Sequence, residues 1–317
     1  MIDMLRVWKY KDSLRRCCPF ERMSASVMKL FRISIFLLFS ILFLSGCLPS
    51  KKLTVAAAGT LLEEVAKASY KQSDLKMIRE GMPAYLMLMD GMIEAWPDNE
   101  RLLITAAQGY SSFASVFVDE QDKEYGKQLS WKAKQYALRA LEIRGIKDPL
   151  QKPLDDFKED LKNLGKRDVP SLFWAATCWA NWIHLNLDSI EAVAELPRVE
   201  GMMQRVMELD EGFYYGGPHL FMGVLLASKP RIAGGNLEKA RAHFLRAFDL
   251  GQGKFLMAYV YYADTYARKV LDKGLFTSTL QFVLEAPVDR TPELTLLNTV
   301  AKKKAQELLG RAGEYFD

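Results

Sequence analysis

From Leu53 onward, apolar residues recur at steps of three and four, as in Leu86, Met89, Ile93 and Trp96, and no stretch shows strand-like alternation. This period predicts an all-α chain. Three segments open on one large-small-small-large spacing: Leu103, Ala106, Ala107 and Tyr110; Leu172, Ala175, Ala176 and Trp179; Leu220, Gly223, Val224 and Ala227. Small residues at the middle of each let a second helix approach closely. The helices that follow have their own apolar faces, formed by Ala133, Ala137 and Ala140, by Val199, Met203 and Val206, and by Ala240, Phe244 and Ala247. A fourth pair is expected over residues 255–270 and 275–284, with a capping helix over 292–310. Breakers fall at Gly81 to Pro83, Pro97-Asp98-Asn99, Gly165 to Pro170 and Gly234-Gly235-Asn236, where Asn236 is placed to cap the helix that starts at Leu237. The run Gly251-Gln252-Gly253-Lys254 reads as a Schellman-type helix end.

The fold class expected is therefore all-α, with about four helix-turn-helix pairs and a C-terminal capping helix. The arrangement resembles a degenerate tetratricopeptide array, in which a bulky residue packs against the small positions of its neighbour. The links are long for such a repeat, most of all between Tyr110 and Ala133, so a regular superhelix is not expected.

The amino-terminal segment breaks the pattern. Lys29 and Arg32 lead into an apolar run, Ile33 to Leu44, broken only by Ser34 and Ser40, and then Ser45-Gly46-Cys47. That run falls short of the roughly 20 residues needed to cross a bilayer, which favours a cleaved signal over a permanent anchor. Leu44-Ser45-Gly46-Cys47 resembles the recognition box of lipoprotein signal peptidase, which implies acylation of Cys47 and a mature chain starting there. Two or three acyl chains, at about 0.8 kcal/mol per buried methylene, hold a protein on a membrane. The expected organisation is an upstream extension over 1–27, a signal peptide over 28–46, an acylated tether over 47–58 and an all-helical domain over 59–317. Met23 or Met28 would start a signal of conventional length; a cytoplasmic extension is the alternative for the first residues.

Charge alters the picture once this segment is set apart. The first 46 residues carry eight of the chain's 43 basic and three of its 39 acidic residues, leaving 35 and 36 in the remainder. Near-neutrality without a basic block removes the electrostatic case for binding nucleic acid. Of four cysteines, only Cys47 and Cys178 follow the signal, so no internal disulfide is expected, and Cys178 sits in an aromatic-rich helical run that suits a small core residue.

Motifs for catalysis are missing from the sequence: it has no G-x-x-x-x-G-K-[ST] loop, no G-x-S-x-G elbow, no H-E-x-x-H and no C-x-x-C. No cofactor or metal is expected, and the chain reads as non-catalytic. The histidines, His184, His219 and His243, lie far apart in sequence with no partner at ligand spacing; His243 is expected to be solvated or interfacial and His184 to lie in the core. Tyr214-Tyr215-Gly216-Gly217-Pro218-His219 joins aromatic rings, flexible backbone and a helix-start proline, a composition that suits a structural turn or the lining of a cleft.

From this turn onward the sequence resembles the TRAP transporter T-component family. The resemblance rests on Gly217-Pro218-His219, Pro230, Gly234-Gly235-Asn236 and Ala301-Lys302-Lys303-Lys304-Ala305, with LFTSTLQFVLEAP and LLNTVAKKKAQELL near the carboxyl end. It implies a periplasmic, tetratricopeptide-like lipoprotein, anchored through acyl chains and expected at the outer membrane in preference to the inner. It further implies docking with the periplasmic solute-binding protein of a TRAP-type transporter, assembly as a homo-oligomer with a trimer favoured, and a groove for an apolar or organic-acid ligand. The aromatic residues that suit such a groove are Trp174, Trp179, Trp182, Tyr214, Tyr215, Tyr259, Tyr261, Tyr262 and Tyr266, with His219 beside them, although aromatics at helical spacing are also core residues. Tyr259, Tyr262 and Tyr266 share one helix face, and Lys229 and Arg231 flank Pro230 where they would attract a carboxylate or simply remain solvated. The alternative function is a cell-envelope or outer-membrane assembly scaffold without a small-molecule ligand.

Overall fold

The computed structural model describes residues 31–36, 50–118 and 120–316; Cys47 and the cleavage box lie outside the described residues, as does all of 1–27. The chain divides into two units, Met1–Thr54 and Val55–Asp317. In the first, residues 31–36 are helical. The described residues contain helices and no strand, and no described helix is long and apolar enough to cross a membrane.

Helix α1 (Ser50–Tyr70) runs through the segment expected as a tether. Val55 is already buried, with Leu62, beside Met92 and Leu102, so the folded core begins there and not at residue 59. Helix α2 (Leu75–Ala95) starts at Asp74, whose carboxylate accepts from the Lys76 and Met77 amides at 3.0 Å. The breaker expected at Gly81 to Pro83 does not end it: Pro83 faces solvent, where the carbonyl it leaves unpaired is open to water, while Ile78, Leu86, Met89, Met92 and Ile93 are buried along the other face.

Helices α3 (Glu100–Phe117) and α4 (Lys123–Ile143) form the first expected pair. They run antiparallel, because Glu100 meets Arg144, Tyr110 meets Tyr136 and Val118 lies against Gly126. Leu103, Ala106, Ala107, Ala133 and Ala140 are all buried to 1% exposure or less, as small residues at a close helix crossing should be. The long link anticipated between these helices is helix: α3 has 18 residues and α4 has 21, so the surplus lengthens the pair.

After α5 (Leu154–Lys162), which buries Phe157 and Leu161, the second pair is α6 (Val169–Leu185) with α8 (Leu196–Asp210), and its surplus link folds into the single turn α7 (Ile190–Ala194). The third pair is α9 (Phe213–Ser228) with α10 (Leu237–Gly251), where Phe244 occupies the notch above Gly223: a Cβ on that glycine would come within 3.0 Å of the ring. Asn236 caps α10 as expected, accepting from the Lys239 amide at 2.9 Å. Helix α10 ends through left-handed residues at Gln252 (φ 51°) and Gly253 (φ 68°).

The fourth pair departs from regular geometry. Helix α11 (Met257–Tyr261) continues as a π-helical turn, Tyr262–Ala267, before α12 (Lys273–Glu285), which Asp272 caps. Helix α13 (Thr295–Gly310) and the short α14 (Ala312–Phe316) close the unit. Buried Asn298 on α13 accepts from the Leu256 amide and donates to the carbonyls of Lys254 and Val288, a tie between three segments that satisfies its polar atoms. Tyr214 packs against two buried clusters, one built on α2 to α9 and one on α9 to α13.

Candidate functional site

The turn that opens α9 is the most strained backbone described. Tyr214, Tyr215 and Gly216 take left-handed conformations in succession, with φ of 49°, 60° and 78°. For the two tyrosines this costs about 1–2 kcal/mol each. Gly216 also meets Ala247 so closely that a Cβ would lie 3.0 Å from its Cα, and Gly217 sits under the Phe173 ring. Packing offsets the strain: the Tyr214 ring lies edge-on to Trp174 at 4.9 Å and to Phe255 at 5.8 Å, and also contacts Phe173 and Phe213. Burial pushes the phenols of Tyr214 and Tyr215 above their ordinary range.

Charged and imidazole groups fasten this turn. Glu211, at the end of α8, pairs with Arg246 on α10 and with His219 Nε2 at 3.0 Å, and His219 Nδ1 lies 2.9 Å from His243 Nδ1. Arg246 and His219 together hold the Glu211 carboxyl down at about 2. His219 and His243, far apart in sequence, are thus brought together by the fold. Helices α9 and α10 are the two arms of a hairpin about the turn at residues 229–236, with Gly216 opposite Ala247, and the two imidazoles meet across it.

Two open clefts flank the π-helical turn, a device common at functional sites. The first, of about 210 Å³, is lined by Phe248, Tyr259, Tyr262, Ser278, Thr279 and Phe282. Phe248 and Tyr259 stack at 4.1 Å with planes 4° apart, Phe282 tilts onto Tyr259 at 4.8 Å, and Tyr262 stands perpendicular to Phe248. Burial raises the phenols of Tyr259 and Tyr262, so they remain neutral donors. Such a lining can hold an apolar body and direct a hydroxyl at one polar atom. The second cleft, of about 420 Å³, lies beside Ser228, Asp264, Thr265, Arg268, Lys269, Glu314 and Tyr315. Its Arg268 is engaged by Asp264 and covers the Tyr315 ring at 3.7 Å.

The residues singled out in the sequence are distributed among these places. Tyr259, Tyr262 and Tyr266 come together, with Tyr262 stacked on Tyr266 at 5.0 Å and itself buried. Trp174, Tyr214, Tyr215 and His219 gather at the strained turn. Trp179 is elsewhere and enclosed: its indole N–H donates to Glu195, which also binds buried Lys134, and the Lys134 ammonium lies within 5.1 Å of the rings of Trp131, Trp179 and Trp182. Lys229 is paired with Glu200 at 2.6 Å, and Arg231 is exposed on the following turn; neither lines either of these two clefts. Phe248 and Phe282 were missed because each belongs to a different helix from the tyrosines it meets. Cys178 is buried beside Ser111, and burial lifts its thiol to about 12, which suits a packing role. Among the described residues, no group of three or more His, Cys, Asp or Glu is placed to hold a metal ion.

Helix pairs, an aromatic cleft and a strained aromatic turn define an all-helical protein. The profile of the TRAP transporter T-component family matches residues 71–316, and the chain belongs to that family. It is a component associated with TRAP transporters. No curated protein matches the chain.

Proposed function

We propose that the protein is a non-catalytic, lipid-anchored periplasmic component that docks with the solute-binding subunit of its transporter and presents the aromatic cleft beside the π-helical turn to an apolar ligand. Family membership supports the transporter partner. The observation that carries the ligand reading is the cleft itself, where the rings of Phe248, Tyr259 and Phe282 line a small open cavity beside Tyr262. The Lys29 to Cys47 stretch of sequence supports the anchor, and the family resemblance supports a homo-oligomer.

The test is a pull-down from periplasmic extract with mass spectrometry of the bound proteins and light scattering of the bait. Recovery of a TRAP-type solute-binding protein with an oligomeric bait is the expected result; recovery of envelope-assembly proteins alone overturns the transporter docking. The cleft is tested with an anilinonaphthalene dye, whose affinity should fall about tenfold in Tyr259→Ala if stacking contributes its usual ~1 kcal/mol or more. Unchanged dye affinity would remove the cleft from the reading.

A further inference from the structure

The imidazoles of His219 and His243 meet end to end. Their Nδ1 atoms are 2.9 Å apart and their ring centroids 5.1 Å apart, so the excess is about two ring radii and both nitrogens lie near the line joining the rings. Lone pairs so arranged face each other instead of converging on a third point, which is the geometry of a hydrogen bond and not of a chelate.

Proton bookkeeping then fixes the states. Glu211 is an ionised acceptor, so His219 Nε2 carries a proton toward it. At the facing Nδ1 atoms only one proton fits: one nitrogen donates and the other accepts. A second proton there would set N–H against N–H and make His219, already protonated at Nε2, an imidazolium.

We propose that His219 and His243 form a pH-sensitive latch, closing the left-handed turn 214–216 onto α10 through one shared proton and releasing it when a second proton binds. Charged groups around the pair reinforce the switch. Lys239 and Arg246 share α10 with His243, Asp249 lies near Arg246, and a carboxylate, that of Glu211 from the end of α8, faces the far nitrogen of His219. Burial, then the charges of His219 and Lys239, set His243 below its ordinary 6.5. The folded state therefore takes up the second proton less readily than the unfolded chain. The latch's contribution is complete above about 6.5 and is lost as pH falls through the lower folded value. The strained turn is what the latch holds, since Glu211 and His219 bracket it on either side.

The experiment is a histidine-ring NMR titration of the purified protein, with amide exchange followed at residues 214–217. The expected result is a coupled titration of His219 and His243, the second proton binding below 6.5, and protection at the turn, corrected for intrinsic exchange, falling about tenfold across that step. In His243→Gln, which keeps a polar partner but cannot titrate, the pH dependence of protection should vanish. Independent titration of the two rings near 6.5, or a His243→Gln turn that still loosens with acid, overturns the latch. If His243→Gln fails to fold by circular dichroism, the wild-type titration alone decides.

Discussion

Phe244 shows how much of this fold depends on a single large-against-small contact. Its ring fills the notch above Gly223 and contacts Tyr262 at 5.2 Å on the other side, so it joins the third helix pair to the fourth. Phe244→Ala should cost about 3–5 kcal/mol, read as a lower urea midpoint with an unchanged slope. Strain at other single residues works in the opposite direction. Leu271 holds φ at 57° with its side chain 74% exposed, so it bears the left-handed penalty and gains little burial. Leu271→Gly should raise stability by about 1 kcal/mol in the same measurement. At Tyr214 and Tyr215 that substitution would not help, because removing the Cβ that strains the backbone also removes the rings whose packing offsets that strain.

Helix ends account for the next layer of stability. Asp74, Asn99, Asn236 and Asp272 each accept an amide from the first turn of the helix they precede. Asn236→Ala should therefore cost about 1 kcal/mol in thermal unfolding. At this scale most of the fold was legible in the sequence: the large-small-small-large spacing located α3, α6 and α9, and Asn236 located the start of α10. Pro83 misled because a solvent-facing proline can be carried by a helix whose other face is well buried. The π-helical turn had no signature, since an extra residue per turn changes which side chains share a face without changing composition. Of the three tyrosines singled out on one helix face, Tyr259 and Tyr262 line the cleft, while Tyr266 only stacks on Tyr262. Sequence spacing missed Phe248 and Phe282, whose approach depends on how three helices cross.

Across the whole molecule, acid acts in two separate windows. His243 governs the upper one, below about 6.5. In the lower one Glu211, held by Arg246 and His219 at about 2, contributes stability that is complete above its unfolded value near 4.5 and lost as pH falls toward 2; Asp188, drawn down by Lys127, adds in the same sense. A plot of melting temperature against pH should therefore fall in two phases, and Glu211→Gln should diminish the lower one. Lys134 has a different consequence for the whole molecule. Its ammonium is boxed by Trp131, Trp179 and Trp182 at the seam of the first two helix pairs. A cation against three indoles makes their emission a built-in optical gauge of that seam: light from the box should change as soon as the pairs part, before the far end of the chain has moved.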